Sequence, residues 1–184
     1  MEIEYILVEL KELSSQDNIT KRELMDILKK YAVSISVYDT MIACEHMRID
    51  GEFVQANYRE KFLEIYIKSF ILRMKEVRLN EDYEREAIID KIAFVESFPR
   101  LKQTFEKEKS TIHKDDKFPL IYAITVLYTT FILEEPVHPV GSEYPGNLKI
   151  EERDGKFYCP VKENQKDNIN AVCHLCLAEQ TPDV

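Results

Sequence analysis

The 184-residue chain is 45% apolar and 32% charged, with 34 acidic against 25 basic residues and a formal net charge of −9. That apolar content suffices for one core of ordinary size. The negative balance repels phosphate backbones and anionic lipid surfaces, and no stretch gathers Lys and Arg without interleaved acids, so nucleic acid and membrane are excluded as expected partners.

The chain opens with Met1-Glu2-Ile3-Glu4-Tyr5, which puts acids where a signal peptide needs positive charge, and a cytoplasmic location is expected. Ile3, Ile6, Leu7, Leu10 and Leu13 recur at spacings of three and four, the stripe of an amphipathic helix. Ser14 to Asn18 breaks it. Thr20 with Glu23 three residues on forms a capping-box pair, and Leu24, Ile27, Leu28 and Tyr31 give a second helix its apolar face. Val33 to Val37 alternates like a strand, but Tyr38, Ile42, Glu45 and Ile49 keep helical spacing, which predicts a third helix ending near Asp50-Gly51.

From Tyr58 to Val77 two stripes coexist, Tyr58, Phe62, Ile65 and Leu72 on one and Leu63, Ile67, Phe70, Met74 and Val77 on the other. This predicts a helix packed on two sides. A helix over 81–97 carrying Ile88, Ile92 and Val95 is expected to end at Phe98-Pro99, because proline disfavours helical backbone in the residue before it. A short helix over 100–109 follows. Asp115 and Asp116 could then cap a last helix with Pro119 in its first turn. Its apolar run, Phe118 to Leu133, falls short of the ~20 residues that span a bilayer, and reads as a buried core helix.

Residues 1–134 hold one Gly and two Pro, whereas 135–184 hold three Gly and five Pro. A boundary near Glu135 follows. Beyond it Pro136 to Gly141 and Tyr144-Pro145-Gly146 are loop and turn signals. Leu148 to Glu152 and Lys156 to Val161 flank Arg153-Asp154-Gly155, where Asp-Gly suits the positive dihedrals of a tight hairpin. Lys162 to Asn170 reads as a polar loop. The expected fold is mainly α, a bundle of about six or seven helices over 1–134. A small C-terminal β-hairpin and loop cap over 135–184 carries three cysteines and packs on the helices.

Cys159, Cys173 and Cys176 carry the chemistry. The closing C-x2-C pair lets two sulfurs face one ion, and cysteines in a chain without a secretion signal point to metal or redox chemistry before a disulfide framework. Zinc takes four tetrahedral ligands and iron–sulfur clusters prefer four thiolates, so one ligand has to come from elsewhere. The candidates are His138 in the Pro-rich loop, His174 inside the hook, and Cys44 on the third helix. His138 is favoured because it lies in the same loop-rich unit. A small hairpin with long loops buries too little apolar surface to hold itself, which gives the ion a physical role. Zinc is the first expectation, an iron–sulfur cluster the alternative, and metal-free redox thiols the third.

Other arrangements weigh less. Glu45-His46, Arg48 and Asp50 surround one helix end, where a solvated terminus outweighs a catalytic cluster. No G-x-G-x-x-G, Walker or GxSxG sequence occurs. Cys173 beside His174 could suggest a thiol nucleophile, but adjacent side chains seldom face each other. Tyr122, Tyr128 and nearby threonines could line a pocket, though core packing is the simpler reading.

The segments His138-Pro139-Val140-Gly141, Tyr144-Pro145-Gly146, Tyr158-Cys159-Pro160-Val161, Cys173-His174-Leu175-Cys176 and Ala178-Glu179-Gln180 resemble a family of methanogenic archaea, domain of unknown function 2115. The likeness is densest over the last quarter of the chain. It implies an archaeal, cytoplasmic protein of a family without an assigned activity, and its His-Pro-x-Gly element favours His138 over His174. Three functions are therefore expected in turn: a non-catalytic interaction protein with a structural metal, a metal-dependent enzyme with an open position on three cysteines, and an iron–sulfur or redox protein.

Overall fold

The structure is a computed structural model that describes residues 2–108, 116–167 and 171–182. Asp115 as a cap, Lys109 as a helix end and the loop's end at Asn170 lie outside these residues.

The chain first forms α1 (Glu2–Leu13), α2 (Lys21–Ala32) and α3 (Val37–Asp50). Ile6, Leu10 and Leu13 of α1 and Leu24, Leu28 and Tyr31 of α2 are buried, as the stripes predict. Thr20 caps α2 with both halves of the capping box made: the Glu23 N–H donates to Thr20 Oγ1 at 3.3 Å, and the Thr20 N–H donates to Glu23 Oε2 at 2.9 Å. Ser36 and Asp39 repeat the device on α3, ending the strand-like run before it. On α3 the buried face is Ala43, Cys44 and Met47, while Tyr38 and Ile49 of the expected stripe are exposed. Gly51 ends this helix against α4, and any side chain there would collide with Leu63, since a Cβ would lie 2.5 Å from its Cδ2.

Next comes α4 (Ala56–Leu79), which buries Phe70, Met74 and Val77. Leu72, from the other stripe with Tyr58, Phe62 and Ile65, is about half exposed. The expected helix over 81–97 is corrected. Residues 81–90 instead run beside 19–22, with Lys21 N–H donating to Ala87 O, Arg22 N–H to Arg85 O and Ile89 N–H to Ile19 O. Asp90 Oδ1 accepts from the N–H groups of Ile92 and Ala93, which starts α5 (Lys91–Glu108) ten residues later than the spacing suggests. Pro99 lies inside α5 and does not end it. The face that packs is Phe94, Phe98 and Leu101, at i, i+4 and i+7, with Phe94 edge-on to Phe98 at 4.9 Å and to Phe131 at 5.4 Å. Ile88, Ile92 and Val95 are exposed. Joining the two expected helices leaves six α-helices among the described residues.

The last helix, α6 (Phe118–Leu127), packs against all five others, which explains why it is apolar on every side. Lys117, not an aspartate, holds the N-cap position; Asp116, one residue before it, accepts from the Phe118 N–H through Oδ1 at 2.8 Å, and Pro119 sits in the first turn. The helix then widens into a π turn over Tyr128–Ile132. The buried Lys21 ammonium closes this end, donating to Ile132 O at 3.1 Å and pairing with Glu134 at 3.1 Å. No helix among the described residues is long and apolar enough to cross a membrane.

The rest is short strands and turns. β1 (Glu143–Tyr144) pairs antiparallel with β2 (Leu148–Lys149). β3 (Glu151–Arg153) pairs antiparallel with β4 (Lys156–Cys159), which pairs parallel with β5 (Glu179–Gln180). Asp154 and Gly155 make the expected hairpin turn with φ of 53° and 75°. Ile150, Cys159 and Ala178 form a small buried cluster of their own, whereas Val137 and Leu175 belong to the helical core.

Candidate metal centre

Two segments carry the three cysteines, the end of β4 and the turn over residues 172–176. Cys159 ends β4 and is buried beneath β5, where its carbonyl accepts from the Thr181 N–H at 3.1 Å. The following Pro160 turns the chain so that the N–H groups of Val161 and Lys162 donate toward the Cys159 sulfur. Cys173 lies in a 3-10 turn over Val172–His174, and Leu175 N–H donates to Val172 O at 2.9 Å to bring Cys176 round. Cys176 Sγ accepts from the Val137 N–H at 3.4 Å and packs against both buried clusters.

The thiols influence one another's titration. Burial first, and then the Cys159 and Cys176 thiols, push Cys173 up to about 11. Burial likewise raises Cys159, with Cys176 adding to it and the Val161 and Lys162 N–H groups opposing. Tyr144 faces the same group, its hydroxyl held above the usual range by burial and then by all three thiols. Even so, among the described residues no set of three His, Cys, Asp or Glu side chains is close enough to hold an ion as it stands.

His138 follows Val137 directly, and its ring packs 4.7 Å from Tyr66 and 5.6 Å from Phe62 of α4, while Tyr144 lies 6.0 Å from Phe62. One side of α4 is thus aromatic because it receives the C-terminal loop. Burial lowers His138 to about 4, so the ring is neutral near pH 7. Among the described residues neither ring nitrogen has a hydrogen-bond partner. A neutral imidazole with both nitrogens unengaged is the form that binds a cation.

The other two candidates have different surroundings. Cys44 is buried in the helical core, raised by burial and influenced by Arg48. His174 lines a cleft of 260 Å³ with Lys162, Glu163, Lys166, Cys173 and Gln180. Around His46 the helix end is solvated at Glu45 and Arg48, which are exposed, whereas His46 itself is engaged: its Nε2 lies 2.6 Å from Asp116 Oδ2, and the ring stacks on Phe118 at 4.8 Å. Tyr128 is fully buried, its hydroxyl accepting from Asn80 Nδ2 at 2.8 Å, the satisfied core tyrosine expected. Sequence reasoning missed Tyr144 beside the thiols, because pairing of β1 with β2 brings it there.

A family profile described as an uncharacterized protein conserved in archaea (DUF2115) matches residues 20–181. A UPF0305 protein of Methanothermobacter thermautotrophicus is 30% identical over 166 residues, covering 90% of this chain and 99% of its own length. A UPF0305 protein of Methanocaldococcus jannaschii is 28% identical over 164 residues, 89% of this chain and 98% of its own. One of Methanopyrus kandleri is 32% identical over 131 residues, 70% of this chain and 87% of its own. No solved structure matches the chain.

Proposed function

The chain belongs to the DUF2115 family of proteins conserved in archaea, and from that premise we propose a non-catalytic interaction or scaffold protein of the cytoplasm whose C-terminal cap is clipped by a structural zinc ion. Cys159, Cys173, Cys176 and His138 are its ligands, and the cap, residues 135–184, is held on the helical domain, residues 1–134. The observation that carries this reading is His138, a neutral imidazole without hydrogen-bond partners, one residue from the N–H that the Cys176 sulfur accepts. Closing the shell needs side-chain rotation of the sulfurs, because no three ligands are within reach of one ion as they stand.

The donor set supports zinc. Three cysteines and one histidine form a closed tetrahedral set for zinc, whereas a cluster prefers a fourth thiolate, and Cys44 lies in the helical core. Redox-active thiols carry lowered pKa values, but Cys173 and Cys159 are raised. A cation reverses that situation by favouring the thiolates that burial and mutual repulsion disfavour. When bound, zinc supplies cross-linking of three chain segments; Val161, Lys162 and Val137 supply N–H donors that steady the thiolates.

A second reading, a metal-dependent enzyme with three thiolates and an open position, is favoured by the cleft beside Cys173. Metal analysis of the purified full chain with an absorption spectrum tests both. One zinc per chain without colour supports the structural centre, brown colour indicates a cluster, and a metal-free protein that retains its C-terminal fold removes the proposal. His138→Ala separates the two zinc readings: a closed site loses affinity, and an open three-cysteine site keeps it.

A further inference from the structure

Irregularities of the backbone and of hydrogen bonding meet at a cleft of 440 Å³ between the C-terminal half of α4 and the π turn. Turns of that kind recur at functional sites. Just past it Glu134, at φ 56°, holds a left-handed conformation that favours glycine, and the chain folds back so that the Glu135 N–H donates to Thr129 O at 3.0 Å. Glu135 there accepts from Arg73 of α4, whose other terminal nitrogen donates to Glu76 Oε2 at 2.7 Å. The remaining N–H of this guanidinium, on Nε, is buried and meets no acceptor among the described residues. Tyr128 supplies a second donor of the same kind. The Asp82 N–H donates to Asn80 Oδ1 at 2.8 Å, which fixes the amide so that Asn80 Nδ2 donates to the Tyr128 oxygen. That bond satisfies the oxygen as an acceptor and leaves the phenol's own proton without one among the described residues, within the field of Arg73, Glu76 and Glu135. A buried donor without an acceptor costs free energy, and two on one cleft point to an oxygen supplied from outside the chain.

The charges decide what kind of oxygen this is. Arg73 already answers two carboxylates, and Lys75 and Asp82 on the same lining offset each other. A ligand carboxylate would be a third anion on one guanidinium, so the acceptor belongs to an uncharged group. Glu135 spends Oε2 on Arg73 and keeps Oε1 to accept an N–H. Leu72 and Leu79 are exposed and, with Leu133, give the cleft an apolar side. We propose that the cleft binds a small uncharged molecule bearing a carboxamide. Its carbonyl oxygen accepts from Arg73 Nε and Tyr128 Oη, its N–H donates to Glu135 Oε1, and its apolar body lies on Leu72, Leu79 and Leu133. The site shares no residue with the proposed metal centre and stands or falls apart from it.

The test titrates the isotope-labelled full chain, followed by NMR, with benzamide, its anionic isostere benzoate, and acetophenone, which keeps the carbonyl and lacks the N–H. Benzamide should move the Arg73 Nε–H and Asn80 side-chain resonances and bind about tenfold more tightly than benzoate, with acetophenone between the two. Tyr128→Phe removes one hydroxyl from a packed position and should weaken benzamide binding by about tenfold. Leu79→Ser, at an exposed position outside the core, should weaken it about threefold and keeps the test open if Tyr128→Phe fails to fold. Resonances that benzamide leaves unmoved, benzoate or acetophenone binding as tightly as benzamide, or wild-type affinity in either folded variant overturns the proposal.

Discussion

The helical part and the C-terminal segment are held by different means. Around α6 the helices bury large apolar side chains from every neighbour, Leu10, Leu24, Leu28, Ile121 and Ile124 among them, each contributing about 1.5–3 kcal/mol on removal from water. The strands beyond Glu135 share a buried cluster of just Ile150, Cys159 and Ala178, with borrowed contacts to the helices through Val137 and Leu175. The first region is secured by many interchangeable contacts, and the second by a few particular groups. Such a division predicts that damage to the first unfolds the molecule, whereas damage to the second loosens one end of it.

The comparison breaks most sharply at α2. Leu28→Ala, in a fully buried position, should lower global stability by about 2–5 kcal/mol in denaturant titration, with the helical signal lost in one transition. Cys176→Ser should leave most of the helical circular dichroism and instead speed proteolytic cutting beyond residue 135 by about tenfold, which is ~1.4 kcal/mol of local stability. If both variants melt in the same single transition with equal loss, the two regions are one unit. Thr20→Ala removes one capping box and should cost about 1 kcal/mol.

That last effect carries a pH signature. The Thr20 N–H, then its hydroxyl, hold Glu23 below the usual carboxylate range. A depressed folded-state pKa gives stability that is present above the unfolded value and lost as pH falls through the folded one, so the gap between wild type and Thr20→Ala should narrow below about pH 4. Ile92→Ser should matter least, within about 0.5 kcal/mol by thermal melting, because Ile92 is 73% exposed. A loss of 2 kcal/mol or more would show that this face is covered in solution.

Much of the helical part was legible because burial imprints a period. The stripes of α1 and α2, the Thr20–Glu23 box and the Asp154-Gly155 turn are local signals, decided by residues a few positions apart. The misread stretch shows where locality fails. Pro99 forfeits a hydrogen bond and crowds a preceding carbonyl, about 3 kcal/mol against continuing the helix. Phe94, Phe98 and Leu101 straddle it, and their burial, with Phe94 edge-on to Phe131 of the π turn, outweighs that cost. Ile88, Ile92 and Val95 offered an equally regular stripe, and the packing of α5 on α1 and α6 chooses between the two. Asp90 was a cap signal that the spacing argument passed over. At the candidate centre the cysteines were readable from spacing, but the aromatic seat of His138 is built by Phe62 and Tyr66, more than seventy residues away in sequence. The turn at Tyr144-Pro145-Gly146 was readable, but that it sets Tyr144 beside the thiols depends on how this hairpin packs.

The π turn at Tyr128–Ile132 acts as a gear between the two regions. Each turn there holds about one residue more than an α-helical turn, so the chain beyond it is advanced in phase relative to α6. In this phase Thr130 Oγ1 meets the Leu175 carbonyl at 3.0 Å, and the exit past Leu133 carries Val137 to Cys176. Taking one residue out of the turn would let it settle as ordinary α-helix and swing everything downstream by about 100° around the axis. The helices would still mesh, but His138 would turn away from its aromatic seat, so the spacing from α6 to the thiols is counted in single residues.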